Sequence, residues 1–389
     1  MLFHSEIFLL WFLPITLGLY SLCPIGWRNV LLLIASYVFY AWWDMPSLLL
    51  MIAATVANYI AGALLCRESS KRRRHLLLTA AIAFDLAILC FFKYERMLSG
   101  TANILAGRTV LPVLNIVLPI GISFYLFEGM SYCIDCARGG PQSRSFTDFA
   151  CYLSLFPHVL AGPIIRFDQL AGQLSSREHS FEKAAEGAYR FLVGLIKKVL
   201  IADAMAAIAD PVFHTGPSSF LHAWIGLIAY TLQIYGDFSG YSDMAIGLGL
   251  LFGLRFPENF STPYLSRSIG EFWRRWHSTL SSWFRDYVYI GLGGNRNGTA
   301  ATLRNLFITM LLVLHPLSLI GYRLGNTLRA FSFVNFQWIL QSFLFRFRSH
   351  AATFRSRNST EETRPLMHCL LRTPISISAI FSQLACLGV

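Results

Sequence analysis

Residues 271–296 read EFWRRWHSTLSSWFRDYVYIGLGGNR, a stretch in which His277 stands among Arg274, Arg275 and Arg285. An imidazole can accept or hold a proton near neutral pH, and guanidinium groups pair with phosphates and carboxylates. If 271–289 forms one helix, Trp273, Trp276, Leu280, Phe284 and Tyr287 recur at three- and four-residue steps along one face. The arginines then lie off that stripe, suited to lipid headgroups, acidic partners or the phosphates of a donor. The pattern by itself favours an amphipathic helix at a membrane interface, with His277 a hydrogen-bonded residue, over a catalytic one.

Further polar residues interrupt apolar sequence. QIYGDFSGYSDMAIGLG, residues 233–249, carries Asp237 and Asp243. Acids inside membrane segments are costly and face a cavity or a partner, so Asp237 reads as a brace rather than a proton carrier. Lys197 and Lys198 sit in LVGLIKKVLIAD and read as a pair that snorkels to an interface. Cys133 and Cys136 form a C-x-x-C, but no second pair or histidine cluster stands at metal-ligand spacing. They read as two residues of a helix face, and no metal site is expected.

The elements that must position these groups are membrane helices. Of 389 residues, 55% are hydrophobic and only 14% charged, with a mean hydropathy of +0.51. A soluble domain carries about a quarter charged residues, so the composition is that of a polytopic membrane protein. The net charge of +11 comes in short basic runs beside apolar spans. That distribution suits cytoplasmic loops and anionic membrane lipids, and it argues against nucleic acid as a partner.

Candidate spans are 6–23, 29–43, 47–66, 76–92 and 113–134, with SYVFYAWW at 36–43 as an interfacial aromatic belt. The N-terminal stretch has no basic region and no small-residue cleavage site, and reads as a retained span. RESSKRRRH, 67–75, marks a cytoplasmic loop. Counting spans from it puts the N-terminus outside and CARGGPQSRS, 136–145, inside. Beyond 146, FACYLSLFPHVLAGPIIRF is broken by prolines and polar groups, which at membrane depth must be enclosed by protein or line a cavity. Segments 188–209 and 221–254 are again helical in composition.

AGPIIR (161–166), YGDFSGYSDMAIG (235–247), NFSTPY (259–264), FWRRWHSTLSSWFRDYVYI (272–290) and GGNR (293–296) together resemble the membrane-bound O-acyltransferase family. ASYVFYAWWD (35–44) and LPIGISFYLFEGMSY (118–132) resemble its bacterial alginate O-acetyltransferase branch. The resemblance covers 1–312 and implies an all-α polytopic protein whose helices ring a tunnel in the inner membrane. The implied activity is O-acylation: an acetyl group from acetyl-CoA or a carrier-bound acyl donor passes, through periplasmic acetyltransferase partners, to an exported polysaccharide such as alginate. No bound cofactor is implied. His277 matches the family's supporting histidine, and Arg274, Arg275, Arg285 and Asp237 are the candidate donor-binding and bracing residues.

The family's principal histidine belongs to a later Gly-Leu-Trp-His-Gly, expected near 313–318, where this chain reads VLHPLS. Leu317 stands at the expected position. His315 lies two residues early and precedes Pro316, and a two-residue shift turns a helical side chain by about 200°. His315 is thus the weaker candidate catalytic residue. The tail, 313–389, is divergent and arginine-rich, so the family fold is expected to be incomplete at its C-terminal end. It fits a natural extension or translation in another frame. Two non-enzymatic classes compete with the acyltransferase: a docking subunit on the same scaffold, and a small-molecule transporter. The absence of a visible internal repeat argues against the transporter.

Overall fold

The computed structural model describes residues 1–323 except 113, 115 and 144, and side chains as far as Val313 apart from those of residues 96, 97 and 269. The tail beyond 323 lies outside the described residues. Those described are helical, with no strand among them. In chain order the α-helices are α1 Leu13–Leu22, α2 Arg28–Ala41, α3 Met45–Arg67, α4 Lys71–Ala106, α5 Ile122–Ala137, α6 Phe146–Ser154 and α7 Phe156–Val159. They continue with α8 Phe167–Ser175, α9 Phe181–Ile196, α10 Asp203–Thr215, α11 Phe220–Leu251, α12 Ile269–Arg275, α13 Ser278–Phe284 and α14 Gly298–Arg323. Turns of π-helix, Phe8–Phe12, Lys197–Ala202 and Arg285–Tyr289, lead into α1, join α9 to α10, and follow α13.

Polar caps set many of these boundaries. Asp44 Oδ2 accepts from Ser47 N–H at 2.9 Å to begin α3. Ser145, Ser180, Ser219 and Ser268 cap α6, α9, α11 and α12 in the same way. α3 and residues Lys71–Glu95 of α4 are each long and apolar enough to cross a bilayer. Large apolar side chains such as Leu10, Trp11 and Leu22 are exposed, as they are on a lipid-facing surface.

Side-chain contacts gather three loops at one end of these helices. Cys66 Sγ lies 3.9 Å from Cys136 O, which joins the end of α3, beside a basic stretch whose Lys71–His75 open α4 rather than lie in the loop, to the end of α5. Asn29 Nδ2 donates to Asp148 Oδ1 at 2.6 Å, bringing the α1–α2 turn to the start of α6. The sequence assigns those three loops to one side of the membrane.

Three expectations are corrected. The 113–134 run is not one span: its helix begins only at Ile122, after Gly121 in the left-handed region (φ 76°). A Cβ on Gly121 would stand 2.2 Å from Val159 O, so both backbone angle and space require glycine there. The 36–43 belt is divided: Trp42 and Trp43 are exposed, whereas Phe39 and Tyr40 are core residues, Tyr40 donating to Ile120 O at 2.7 Å.

The lysine pair does not snorkel freely, because Lys197 Nζ pairs with Asp243 at 2.6 Å and Lys198 Nζ with Asp203 and Asp237 at 2.9 Å each. Those pairs seal the α9–α11 packing. There Gly194 and Gly240 let the backbones meet so closely that a Cβ on Gly194 would lie 2.5 Å from Gly240 O.

Candidate active site

The stretch around His277 is not one helix. α12 ends at Arg275, and His277 takes φ 43°, ψ 51°, a left-handed conformation that costs a side-chain-bearing residue about 1–2 kcal/mol. Local sequence does not enforce this break; the segment before α12 does. Ser261 N–H donates to Arg275 O at 2.9 Å, Ser278 N–H to Asn259 O at 3.0 Å, and Ser278 Oγ to Glu258 O at 2.7 Å. NFSTPY therefore clamps both sides of the kink. Such a held, strained residue points to function rather than to packing convenience.

The kink carries His277 inward, where it is 3% exposed. Its ring is surrounded by Phe238 at 4.8 Å, Phe260 at 6.3 Å and Phe124 at 6.4 Å between centroids. Nδ1 lies 2.9 Å from Asn259 Oδ1, an oxygen shared with Thr279 Oγ1 at 2.9 Å and Thr279 N at 3.4 Å. Burial lowers the imidazole pKa to about 3, in a short break between two helices too brief to cross the bilayer. His277 is thus a neutral imidazole, able to exchange hydrogen bonds at both nitrogens.

The irregular AGPIIR segment is fastened to the same place by side chains that satisfy its backbone. Ile164 N–H donates to Thr279 Oγ1 at 3.1 Å, and Ile165 N–H to Glu128 Oε1 at 3.0 Å. Tyr152 Oη donates to Ile165 O at 2.8 Å. Glu128 is fully buried and 3.3 Å from His158 Nδ1. Arg166 pairs with Asp286, which also holds Arg285. These bonds explain how non-helical backbone survives here: protein encloses it.

The candidate residues are only partly assembled. His277 is buried, but the arginines turn elsewhere: Arg275 pairs with Glu271 at 2.7 Å, Arg285 with Asp286 at 2.6 Å, and Arg274 is exposed on α12. Asp237 is 52% exposed and tied to Lys198. Asp243 pairs with Arg190, which also holds Glu258 at 2.6 Å, next to Asn259. His315 lies on the backbone of α14, and its side chain is outside the described residues.

Sequence reasoning gives no site role to Asn259, Thr279, Glu128 or His158. All four fall inside stretches quoted above, yet nothing in residue type or spacing pairs Asn259 with a histidine eighteen positions on. Cys133 and Cys136 are buried on α5, with Cys133 Sγ 3.2 Å from Asn58 Oδ1.

Comparison with known proteins decides what this arrangement belongs to. The family model described as "MBOAT, membrane-bound O-acyltransferase family" matches residues 36–319. The chain belongs to the membrane-bound O-acyltransferase family. As a member it is a polytopic membrane protein.

The chain is 52% identical over 321 residues to the protein of Pseudomonas syringae pv. tomato named "Probable alginate O-acetylase AlgI", covering 80% of this chain and 61% of that one. It is 51% identical over 319 residues to the protein of the same name in Pseudomonas aeruginosa, with the same coverage. It is 33% identical over 346 residues to the "Peptidoglycan O-acetyltransferase" of Helicobacter pylori, covering 80% of this chain and 66% of that one. The membrane-bound O-acyltransferase chain described here therefore spans less than two thirds of the length of these relatives.

Proposed function

We propose that this chain is an inner-membrane O-acyltransferase supplying acetyl groups for O-acetylation of an exported polysaccharide such as alginate. The observation that carries the reading is His277, kinked inward and clamped by NFSTPY in a chain half identical to proteins named alginate O-acetylase. A neutral, enclosed imidazole suits the handling of an acceptor hydroxyl, because a water-poor site strengthens each hydrogen bond made in it.

In this reading the helices ring a tunnel, the N-terminus lies outside, and the acyl donor enters from the cytoplasmic side. The donor is acetyl-CoA or a carrier-bound acyl group. A recess of about 350 Å³ at the end of α5, lined by Arg138, Arg166, Asp135 and Asp168 among others, lies on the side assigned to the cytoplasm. Its guanidinium groups, with Arg274, Arg275 and Arg285, suit the phosphates of such a donor. Periplasmic acetyltransferase proteins are the partners that pass the group to the polysaccharide.

The test is expression of the full chain in an alginate-producing host that lacks its own acetylase. The O-acetyl content of the exported polymer is then compared between wild type and His277→Gln at equal protein level. Acetylation that depends on His277 supports the proposal, and a polymer equally acetylated with and without His277 overturns the assigned site.

One observation favours a second reading: Leu317 stands where the family's principal histidine is expected. A docking subunit predicts no acetylation by the wild-type chain while an extracytoplasmic partner is still captured.

A further inference from the structure

We infer that Asn259 is a positioning residue that holds His277 in its Nδ1–H tautomer, leaving the Nε2 lone pair to accept a hydrogen bond from an incoming acceptor hydroxyl. Which imidazole nitrogen carries the proton is set by the partner of the other. The partner here is an amide, and its orientation follows from the three groups that face it.

Thr279 N–H can only donate, and it points at Asn259 from 3.4 Å. Thr279 Oγ1 already accepts from Ile164 N–H at 3.1 Å, so its own proton is free to turn toward Asn259 at 2.9 Å. An oxygen facing this pair receives both. An NH2 group there could donate to Thr279 Oγ1 and to a bare His277 Nδ1, but it would oppose the Thr279 N–H, so the oxygen satisfies one more group; one end of the amide stays buried without a side-chain or backbone partner either way, and here it is Nδ2. With Oδ1 toward the cluster, His277 Nδ1 at 2.9 Å must be the donor.

The enclosing rings of Phe124, Phe238 and Phe260 offer no competing acceptor. Asn259 is 0% exposed, so bulk water does not reach the amide. An amide, unlike a carboxylate, fixes the tautomer without drawing a proton onto the ring. That agrees with a histidine kept neutral by burial. The hydroxyl-orienting role rests on the acyltransferase reading, whereas the tautomer does not.

The test is nitrogen-15 magic-angle-spinning NMR of the full chain, labelled in its histidine rings and reconstituted in phosphatidylethanolamine–phosphatidylglycerol bilayers. His277 is assigned by its loss in His277→Gln. The expected wild-type spectrum has a protonated Nδ1 and a bare Nε2 at neutral pH. Asn259→Ala loses that preference and gains an Nε2–H signal. Asn259→Asp keeps Nδ1–H and moves the ring's titration to higher pH.

A wild-type ring protonated on Nε2, or an unchanged tautomer in Asn259→Ala, overturns the proposal. The wild-type spectrum alone suffices if the variants fail to fold. Acetyl transfer measured in the same bilayers separates the two readings: no transfer by wild type removes the hydroxyl-orienting role and leaves the tautomer to the spectrum.

Discussion

Thr279→Val tests the joint between the AGPIIR segment and the histidine site. Valine keeps the shape of threonine and removes the hydroxyl that accepts from Ile164 N–H at 3.1 Å and donates to Asn259 Oδ1 at 2.9 Å. Asn259 Oδ1 retains two other donors, so its loss is small. Ile164 is 4% exposed, and its stranded N–H bears the main cost, about 1–3 kcal/mol for a buried donor without a partner.

Thr279→Ser keeps both hydrogen bonds and loses one methyl group, a change of the size of isoleucine to valine, about 0.5–1.5 kcal/mol. The assay is hydrogen exchange by mass spectrometry on peptides covering 160–167, in detergent micelles. A loss of about 1–3 kcal/mol in local protection corresponds to roughly 5- to 150-fold faster exchange in Thr279→Val. Thr279→Ser should fall between valine and wild type. Unchanged exchange in the valine variant, or faster exchange in serine than in valine, would refute the assignment of Thr279 as the tie.

Three further outcomes are expected. Gly121→Ala should sharply reduce the folded fraction on size-exclusion chromatography, because it combines φ 76° with a contact of 2.2 Å to Val159 O; Gly172→Ala, within α8 and with nothing within 4 Å, should be neutral or stabilising by about 0.5–1 kcal/mol. Asp243→Asn should destabilise more than Asp237→Asn in a thermal melt. Breaking a fully buried pair costs about 3–5 kcal/mol, reduced here because Arg190 and Lys197 are 31% and 28% exposed, whereas Asp237 is itself mostly exposed and its loss should cost under about 1 kcal/mol.

The third concerns pH. The folded imidazole of His277 resists protonation down to about 3, while the unfolded chain takes the proton near 6.5. Its contribution to stability is therefore complete above about 6.5 and declines as pH falls toward 3. Unfolding titrations should show wild type losing more stability than His277→Gln on acidification through that window.

The apolar runs made α3 and α4 legible, and the polar, proline-broken run after 146 announced irregular backbone that protein must enclose. The 113–134 error had its own warning in Pro119 and Gly121, which hydropathy outweighed. The break at His277 had none: the aromatic stripe of 271–289 is continuous in sequence, and the bonds that hold the kink come from 258–261.

His277 itself was marked by residue type, whereas its partner was not, since an asparagine eighteen residues away carries no spacing signal. Of the two acids in the apolar run, residue pattern singled out Asp237; that Asp243 is the one Arg190 reaches is a property of helix packing.

The most direct test of the acyltransferase account is transfer of a labelled acetyl group by the full chain in sealed membrane vesicles. The label is supplied as acetyl-CoA outside inverted vesicles, and alginate with the periplasmic partner proteins is enclosed within. The account predicts labelled, alkali-labile ester on the enclosed polymer with wild type, and little or none with His277→Gln at the same protein level. Equal labelling by both would contradict the central place given to His277, and no labelling by wild type, from acetyl-CoA or from a carrier-bound acetyl donor supplied on the same side, would contradict the acyltransferase assignment for this chain.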